Sequence, residues 1–276
     1  MPFKHHCKKA PVQGAFFVPG LLLCCGILAS MLAASARAAD CPTDRTSERV
    51  QVVHIYDGDT VKLRDGRRLR LIGINTPEVS HKGKAAQSMA EPARSALETL
   101  LDKHNRTLLL RHGKEQRDHY GRLLAHAFLD DGSNVAVHLL ERGLATTLVV
   151  PPNTWAQDCY QSIEDDARAM RRGLWALADY RPLESRSLSS ATRGFRLVRG
   201  QVTEIRQSRH SAWLDLEGPL VIKVARRDLV NFEPGFPENL LDRRIEARGW
   251  IRKDDRGLRL NLRHPAAIRV LDRQRR

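Results

Sequence analysis

Three short stretches of this sequence concentrate polar residues where strands are expected to end. Asp57-Gly58-Asp59-Thr60 joins one strand to the next. Arg70 to Glu78 reads Arg-Leu-Ile-Gly-Ile-Asn-Thr-Pro-Glu, a strand with a charge in its middle that runs out into a polar loop. Asp118-His119-Tyr120-Gly121-Arg122 precedes a third strand. Carboxylate and amide oxygens at strand ends suit a hard cation such as Ca²⁺, which takes oxygen ligands in flexible geometry. Two arginines beside them suit a phosphate, because the guanidinium stays charged and meets its oxygens in pairs. One further carboxylate can take a proton from water. Together these are the parts of a metal-assisted phosphodiester hydrolase. Singly, each has a plainer reading: Asp-Gly-Asp is a turn-former, Arg70 a strand residue facing solvent, Pro77-Glu78 a loop end and Arg122 a surface charge.

The elements that must position these groups follow from periodicity. Residues 48–74 alternate as strands do, with Val50, Val52 and His54 against Val53 and Ile55, then Val61 and Leu63, then Leu69, Leu71 and Ile74. Asp65-Gly66 predicts a tight hairpin between the last two runs. A helix is predicted next, with Pro92 near its first turn and Ala93, Ala96, Leu97, Leu100 and Leu101 at three-four spacing. Two strands are expected at 107–111 and 123–129. Asn134 then caps a short helix ended by Gly143, and Thr154 with Gln157 predicts a capping box for a helix reaching Gly173. Strands, helix, strands, two helices is the order of an α+β fold: a small antiparallel barrel with helices packed outside it.

Residues 181–195, rich in Ser and Arg, are expected as a linker after a domain spanning 39–180. Strand signals resume at 197–205, 212–216, 220–224, 244–251 and 258–262, and the polar stretch 228–241 has room for one helix. Five short strands with a helix between the third and fourth predict a second small β-barrel, OB-like, over 196–272. Trp213 and Trp250 within it are expected in the core, with stacking on bases as the alternative. A barrel of this kind also serves polysaccharide or protein ligands, a reading by fold analogy alone.

The three polar clusters, taken jointly and in order, resemble the staphylococcal nuclease (thermonuclease) family over about Val50 to Trp175. The likeness rests on Asp57-Gly58-Asp59-Thr60-Val61-Lys62-Leu63, Arg70, Thr76-Pro77-Glu78, Asp118 with Tyr120-Gly121-Arg122, Gly143-Leu144-Ala145 and Leu174-Trp175. The resemblance implies an OB-type five-stranded barrel with three helices, and a Ca²⁺-dependent endonuclease that cuts DNA and RNA and leaves 3′-phosphate ends. It assigns Asp59 and Asn75 as Ca²⁺ ligands through their side chains and Thr76 through its carbonyl. It makes Glu78 the general base, places Arg70 and Arg122 on the phosphate, and lays Tyr120 against the bound nucleotide. Two departures stand out. Asn75 replaces the family's usual Asp, which removes a negative charge and predicts weaker Ca²⁺ binding. Where the prototype carries tyrosines for stacking, this chain reads Leu148-Val149-Val150-Pro151-Pro152, so its grip on substrate must come from elsewhere. The competing expectation is a nucleic-acid-binding module that keeps the fold without the chemistry.

The N-terminal residues read as an export address. Lys4, Lys8 and Lys9 precede an apolar run to about Ala34, and Ala36-Arg37-Ala38 has the form of a signal-peptidase site, so 1–38 is expected to be removed and the mature chain to be periplasmic or secreted. Cys41 and Cys159 remain after that cut and, in an exported protein, are candidates to pair. His104, His112, His126 and His138 lack ligand spacing and are expected as surface or core positions. Of 276 residues, 42% are apolar and 28% charged, enough to bury sizeable cores and incompatible with a disordered tail. The 46 basic side chains exceed the 32 acidic ones, giving a formal charge of +14 and pointing to a polyanionic partner, with a membrane surface and nucleic acid both open on charge alone and the resemblance favouring DNA or RNA. Residues 39–184 balance at 21 of each sign, whereas 185–276 hold 21 basic against 11 acidic side chains. The nuclease-like half therefore has to bind phosphate through placed residues, and the C-terminal half is expected to supply the salt-sensitive attraction.

Overall fold

Alternation of apolar and polar residues closes the first half into a barrel. In the computed structural model, which describes residues 41–80, 83 and 85–271, strands β1 (Glu48–Asp57), β2 (Thr60–Leu63) and β3 (Arg68–Leu71) form a meander. It is followed by the short β4 (Gly73–Asn75), helix α1 (Ala90–Lys103), β5 (Thr107–Arg117) and β6 (Leu123–Phe128). The ring runs β1-β2-β3-β6-β5 and back to β1, with β3 and β6 parallel. Helix α2 (Val135–Glu141), strand β7 (Thr146–Leu148) and helix α3 (Gln157–Ala169) complete this half, and β7 pairs antiparallel with β4. This is the α+β arrangement expected, an OB-type barrel with three helices. The predicted export signal, 1–38, lies outside the described residues.

The alternation expected for β1 breaks at a bulge between Val52 and His54. Val50 and Val52 face inward, Val53 and His54 both face out, and inward parity resumes at Ile55 and Asp57. A bulge adds one residue and so reverses which side chains point to the core. Its consequence is that Asp57 is buried beside Asp59 instead of facing solvent. Gly58 lets the turn that follows close, since a Cβ there would stand 2.7 Å from Thr76 Cγ2 and 3.0 Å from Ala93 of α1.

Helix α1 buries Ala90, Ala93, Leu97 and Leu101 along one stripe, with Pro92 in its first turn. Asn134 caps α2 by accepting the Ala136 N–H at 3.0 Å. The capping box expected at Thr154 does not form. Helix α3 starts at Gln157 after Ala156 in a left-handed conformation, and Thr154 contributes only its backbone carbonyl, 3.4 Å from Gln157 N. The helix stops at Ala169, and a 3-10 turn over Gly173–Ala176 follows. Cys41 and Cys159 form a disulfide with their Cα atoms 5.8 Å apart, closing a separation of 118 residues onto α3.

The stretch expected as a linker is part of the second fold. Leu183–Glu184 forms β8 and Ser185 and Leu188 are buried, because β8 pairs in parallel with β9 (Gly194–Gln207). Strands β10 (Ser211–Leu216), β11 (Leu220–Ala225), β12 (Arg244–Asp254) and β13 (Gly257–Leu262) follow, and β14 (Ile268–Val270) adds to β12. The ring β9-β10-β11-β13-β12 closes through β12 on β9, with β11 and β13 parallel. It is a second OB-type barrel with the same strand order as the first. Between β11 and β12, 3-10 turns at Arg226–Asn231 and Glu238–Leu240 stand where a helix was expected.

Helix α3 joins the two barrels through its charged residues. Glu164, 1% exposed, accepts the Thr147 N–H at 2.7 Å and hydroxyl at 2.9 Å, and pairs with Arg248 of β12. Arg168 reaches Glu246 at 2.6 and 2.8 Å, and Arg199 meets the same carboxylate at 2.8 Å. Burial pushes the Glu246 carboxyl up, but the hydrogen bonds and charges of Arg168 and Arg199 outweigh it and hold it below the usual range. Arg269 adds a contact to Asp165 at 2.5 Å, and Ala167, Trp175 and Leu197 form a small apolar cluster in the same seam. Removing one partner of a buried pair strands the other charge. Arg248→Ala should therefore destabilise the chain by about 3–5 kcal/mol in urea unfolding, and Arg248→Met combined with Glu164→Gln should recover most of that loss.

Candidate active site

The site begins with a carboxylate taken out of water. Asp59, at the turn between β1 and β2, is 1% exposed. Its Oδ2 accepts the Thr76 N–H at 2.7 Å and pairs with Arg70 at 2.7 Å, while Oδ1 takes the Thr60 hydroxyl at 3.0 Å. Burial pushes its carboxyl up to about 6 against the pull of Arg70, and the neighbouring Asp57 adds to the rise. A second interaction with Asp57 fixes the turn, whose Asp59 N–H donates to Asp57 Oδ1 at 3.0 Å.

Arg70 ties this carboxylate to the next two predicted residues. From β3 its guanidinium donates to the Leu71 carbonyl at 2.8 Å and to Asn75 Oδ1 at 3.1 Å. Asn75 Nδ2 in turn donates to the Thr76 carbonyl at 3.1 Å. Asp59, Asn75 and Thr76 thus share one hydrogen-bond network whose hub is Arg70. The three oxygens assigned to a cation, one carboxylate, one amide and one carbonyl, are of the type that hard divalent ions take. The Thr76 hydroxyl beside them is buried without a hydrogen-bond partner. A hard cation is compatible with this donor set.

Arg122 arrives by a different route. Asp118 accepts the N–H groups of Tyr120 at 3.0 Å and Arg122 at 2.9 Å on one oxygen, and Arg122 Nε at 2.7 Å on the other. Burial raises the Asp118 carboxyl, yet the Arg122 contacts prevail and hold it below the usual range. Because β3 and β6 are parallel with Arg70 opposite Leu124, Arg122 projects two residues before Leu124 on the same face as Arg70. Both arginines, with Asn75, Glu78 and Leu124, line one cleft of about 500 Å³. Glu78 is exposed there, its N–H held by Gln87 Oε1 at 3.1 Å. Asp59 and Thr76 are buried and do not line the cleft; they connect to it through Arg70 and Asn75. Tyr120 stands at its edge, 66% exposed, with Arg122 5.5 Å from its ring centre.

Sequence reasoning missed Glu115, Asn153 and Arg263, which also line the cleft, and gave no role to His119, which lines it too. Arg263 comes from the end of the second barrel, so only tertiary structure could reveal it. Asn153 clamps β5 to the loop after β7: its Oδ1 accepts the Glu115 N–H at 3.0 Å and its Nδ2 donates to the Glu115 carbonyl at 2.9 Å. Gly113 makes room for it, since a Cβ there would stand 2.5 Å from the Asn153 amide. Among the described residues one cluster brings three His or acidic side chains within metal-binding distance of one another, His104 with Asp130 and Asp131, and none of these residues lines the cleft.

Known proteins share this half of the chain. The sequence model of a family described as "Staphylococcal nuclease homologue" matches residues 68–177. Thermonuclease of Staphylococcus intermedius is 32% identical over 138 residues, covering 48% of this chain and 79% of that protein. Endonuclease YncB of Bacillus subtilis is 32% identical over 128 residues, covering 45% of this chain and 60% of its own length. An uncharacterized endonuclease of Escherichia coli O157:H7 is 29% identical over 138 residues, covering 47% and 78%. The family match ends at residue 177, ahead of the second barrel. Asn153→Ala leaves the Glu115 N–H and carbonyl without their partner and should lower stability by about 1–3 kcal/mol, measured by denaturant unfolding.

Proposed function

The chain belongs to the staphylococcal nuclease family, and from that premise we propose that it is an exported endonuclease that hydrolyses DNA or RNA with the help of Ca²⁺. The observation that carries the reading is the convergence of Arg70, Asn75, Glu78 and Arg122 on one cleft, with the buried Asp59 and Thr76 tied to it through Arg70 and Asn75. Asp59, Asn75 and Thr76 would hold the ion, which when bound supplies positive charge to the phosphate and to the attacking water. Arg70 and Arg122 bind the phosphate oxygens and offset the charge that grows in the transition state. Glu78 takes a proton from water as its oxygen attacks phosphorus. The bond to the 5′ oxygen breaks, that oxygen takes a proton from solvent, and a 3′-phosphate and a 5′-hydroxyl are left. Asp118 acts by positioning Arg122, and Tyr120 flanks the nucleotide. Export is supported by the signal-like residues 1–38 and by the Cys41–Cys159 disulfide, a bond at home in oxidising compartments. Among the described residues no helix is long and apolar enough to cross a membrane.

One observation favours a second reading, a nucleic-acid binder without the chemistry. Arg70 already engages both Asp59 and Asn75, so a guanidinium occupies the oxygens that would face an ion. Cleavage separates the two. Under the hydrolase reading, purified protein degrades single-stranded DNA or RNA in millimolar-range Ca²⁺, EDTA abolishes the activity, and Glu78→Gln and Arg122→Ala each reduce it by at least about a hundredfold. Full-length substrate under all conditions, with binding retained, supports the binder. Asn75→Asp should lower the Ca²⁺ needed for half-maximal activity by about an order of magnitude, read from a Ca²⁺ titration of the rate. An unchanged titration removes Asn75 from the ligand set.

A further inference from the structure

The cleft does not end at the nuclease half. Leu148, Val150 and Arg263 line both it and a second groove of about 240 Å³ that runs onto the outer face of the C-terminal barrel. One wall is Thr147 to Val150, the segment where base-stacking tyrosines were missing from the sequence. The opposite wall carries Phe195 of β9 and Trp250 of β12, directly paired across the two strands with ring centres 5.2 Å apart. Trp250 is 39% exposed, a large aromatic side chain left at the surface of a strand whose neighbours Ile245, Ala247 and Ile251 are buried. Trp213, by contrast, lies on β10 and does not line the groove.

The charge of the groove is one-sided. Arg248, Arg252 and Arg263 line it and no described lining residue is acidic. Arg248 is committed to Glu164, and Arg263 also meets Asp228 at 3.5 Å, whereas Arg252 is exposed at the rim. An aromatic platform flanked by arginines and continuous with a phosphate-binding cleft is the chemistry that holds unpaired bases along a charged backbone. A base still paired in a duplex cannot reach Trp250 between two protein walls without leaving its stack.

We propose that the second barrel carries part of the substrate site: a single-stranded segment of DNA or RNA, adjoining the phosphate in the cleft, lies along this groove with a base on Trp250 and its backbone beside Arg252 and Arg263. The assignment rests on the nucleic-acid reading of the cleft and supplies the stacking contacts that Leu148 to Pro152 do not. It also makes the excess positive charge of residues 185–276 a local part of the site.

The test uses the full chain carrying Glu78→Gln, so that substrate survives the measurement, and follows the anisotropy of a fluorescein-labelled single-stranded oligonucleotide. Adding Trp250→Ala or Arg252→Glu should weaken binding about tenfold each, with Trp250→Phe restoring most of it and Trp213→Phe changing nothing. A duplex of the same sequence should be insensitive to Trp250→Ala. Single-strand binding unaltered by both Trp250→Ala and Arg252→Glu overturns the proposal and leaves the groove to another kind of partner, and an equal loss for the duplex overturns its single-strand character. The parent chain distinguishes this from the hydrolase reading: cleavage with binding indifferent to Trp250 rejects the groove alone, whereas Trp250-dependent binding without any cleavage keeps the groove and rejects the hydrolase.

Discussion

A carboxylate buried away from water has to be met by donors and by charge, and the way Glu164 is met organises both halves of this protein. Its two oxygens are taken by Thr147 of β7 and by Arg248 of β12. Through Thr147 the carboxylate fixes β7, and β7 pairs with β4 at Ile74 and Asn75. The Thr146 hydroxyl adds a bond to the Asn75 carbonyl at 3.3 Å. From Asn75 the network continues to Arg70 and Asp59. A single chain of contacts therefore runs from an arginine of the second barrel to the floor of the candidate active site. The two barrels are not beads on a string, and cutting the chain near Pro182 would remove Arg248 and leave Glu164 with Thr147 as its remaining partner.

Two buried carboxylates thus do different work with similar means. Glu164 is matched by a residue from another domain and serves architecture. Asp59 is matched by Arg70 within its own barrel, and burial still pushes it up to about 6. The same guanidinium is assigned to the substrate phosphate, so Arg70 stands between the metal ligands and the substrate and can answer to either.

Much of this was legible from residue order. The meander, the Asp65-Gly66 hairpin, the stripe of α1, the Asn134 cap and the five strands of the second barrel all obey local periodicity or local hydrogen bonding. Asp59, Arg70, Asn75, Thr76, Glu78 and Arg122 were singled out because polar residues stand at strand ends there and, jointly, in the order of the staphylococcal nuclease family. What was not legible depended on partners distant in sequence. The bulge in β1 turns Asp57 inward although the run Val50 to Ile55 reads as plain alternation. Helix α3 starts at Gln157 because Cys159 and Tyr160 are drawn into the core of the first half, and no side-chain cap is needed. The polar stretch after Arg181 reads as a linker until β8 finds an edge on β9. Arg263 carries no local mark, and nothing local decides between the core and a base-stacking position for Trp250, since only the docking of α3 on β12 brings that groove to the cleft.

The parallel pairing of β3 and β6 has one more consequence. Arg70 projects from β3, whose distance from β6 of about 4.8 Å is set by backbone hydrogen bonds, whereas Arg122 stands just before β6 on the turn that Asp118 holds. The distance between the two positive charges is thus set on one side by the sheet and on the other by the Asp118 turn. Loops loosen first on warming, while barrel strands open only with the whole fold. Warming would therefore loosen Arg122 before Arg70, and the pair of charges in the cleft depends on the Asp118 turn as much as on the barrel.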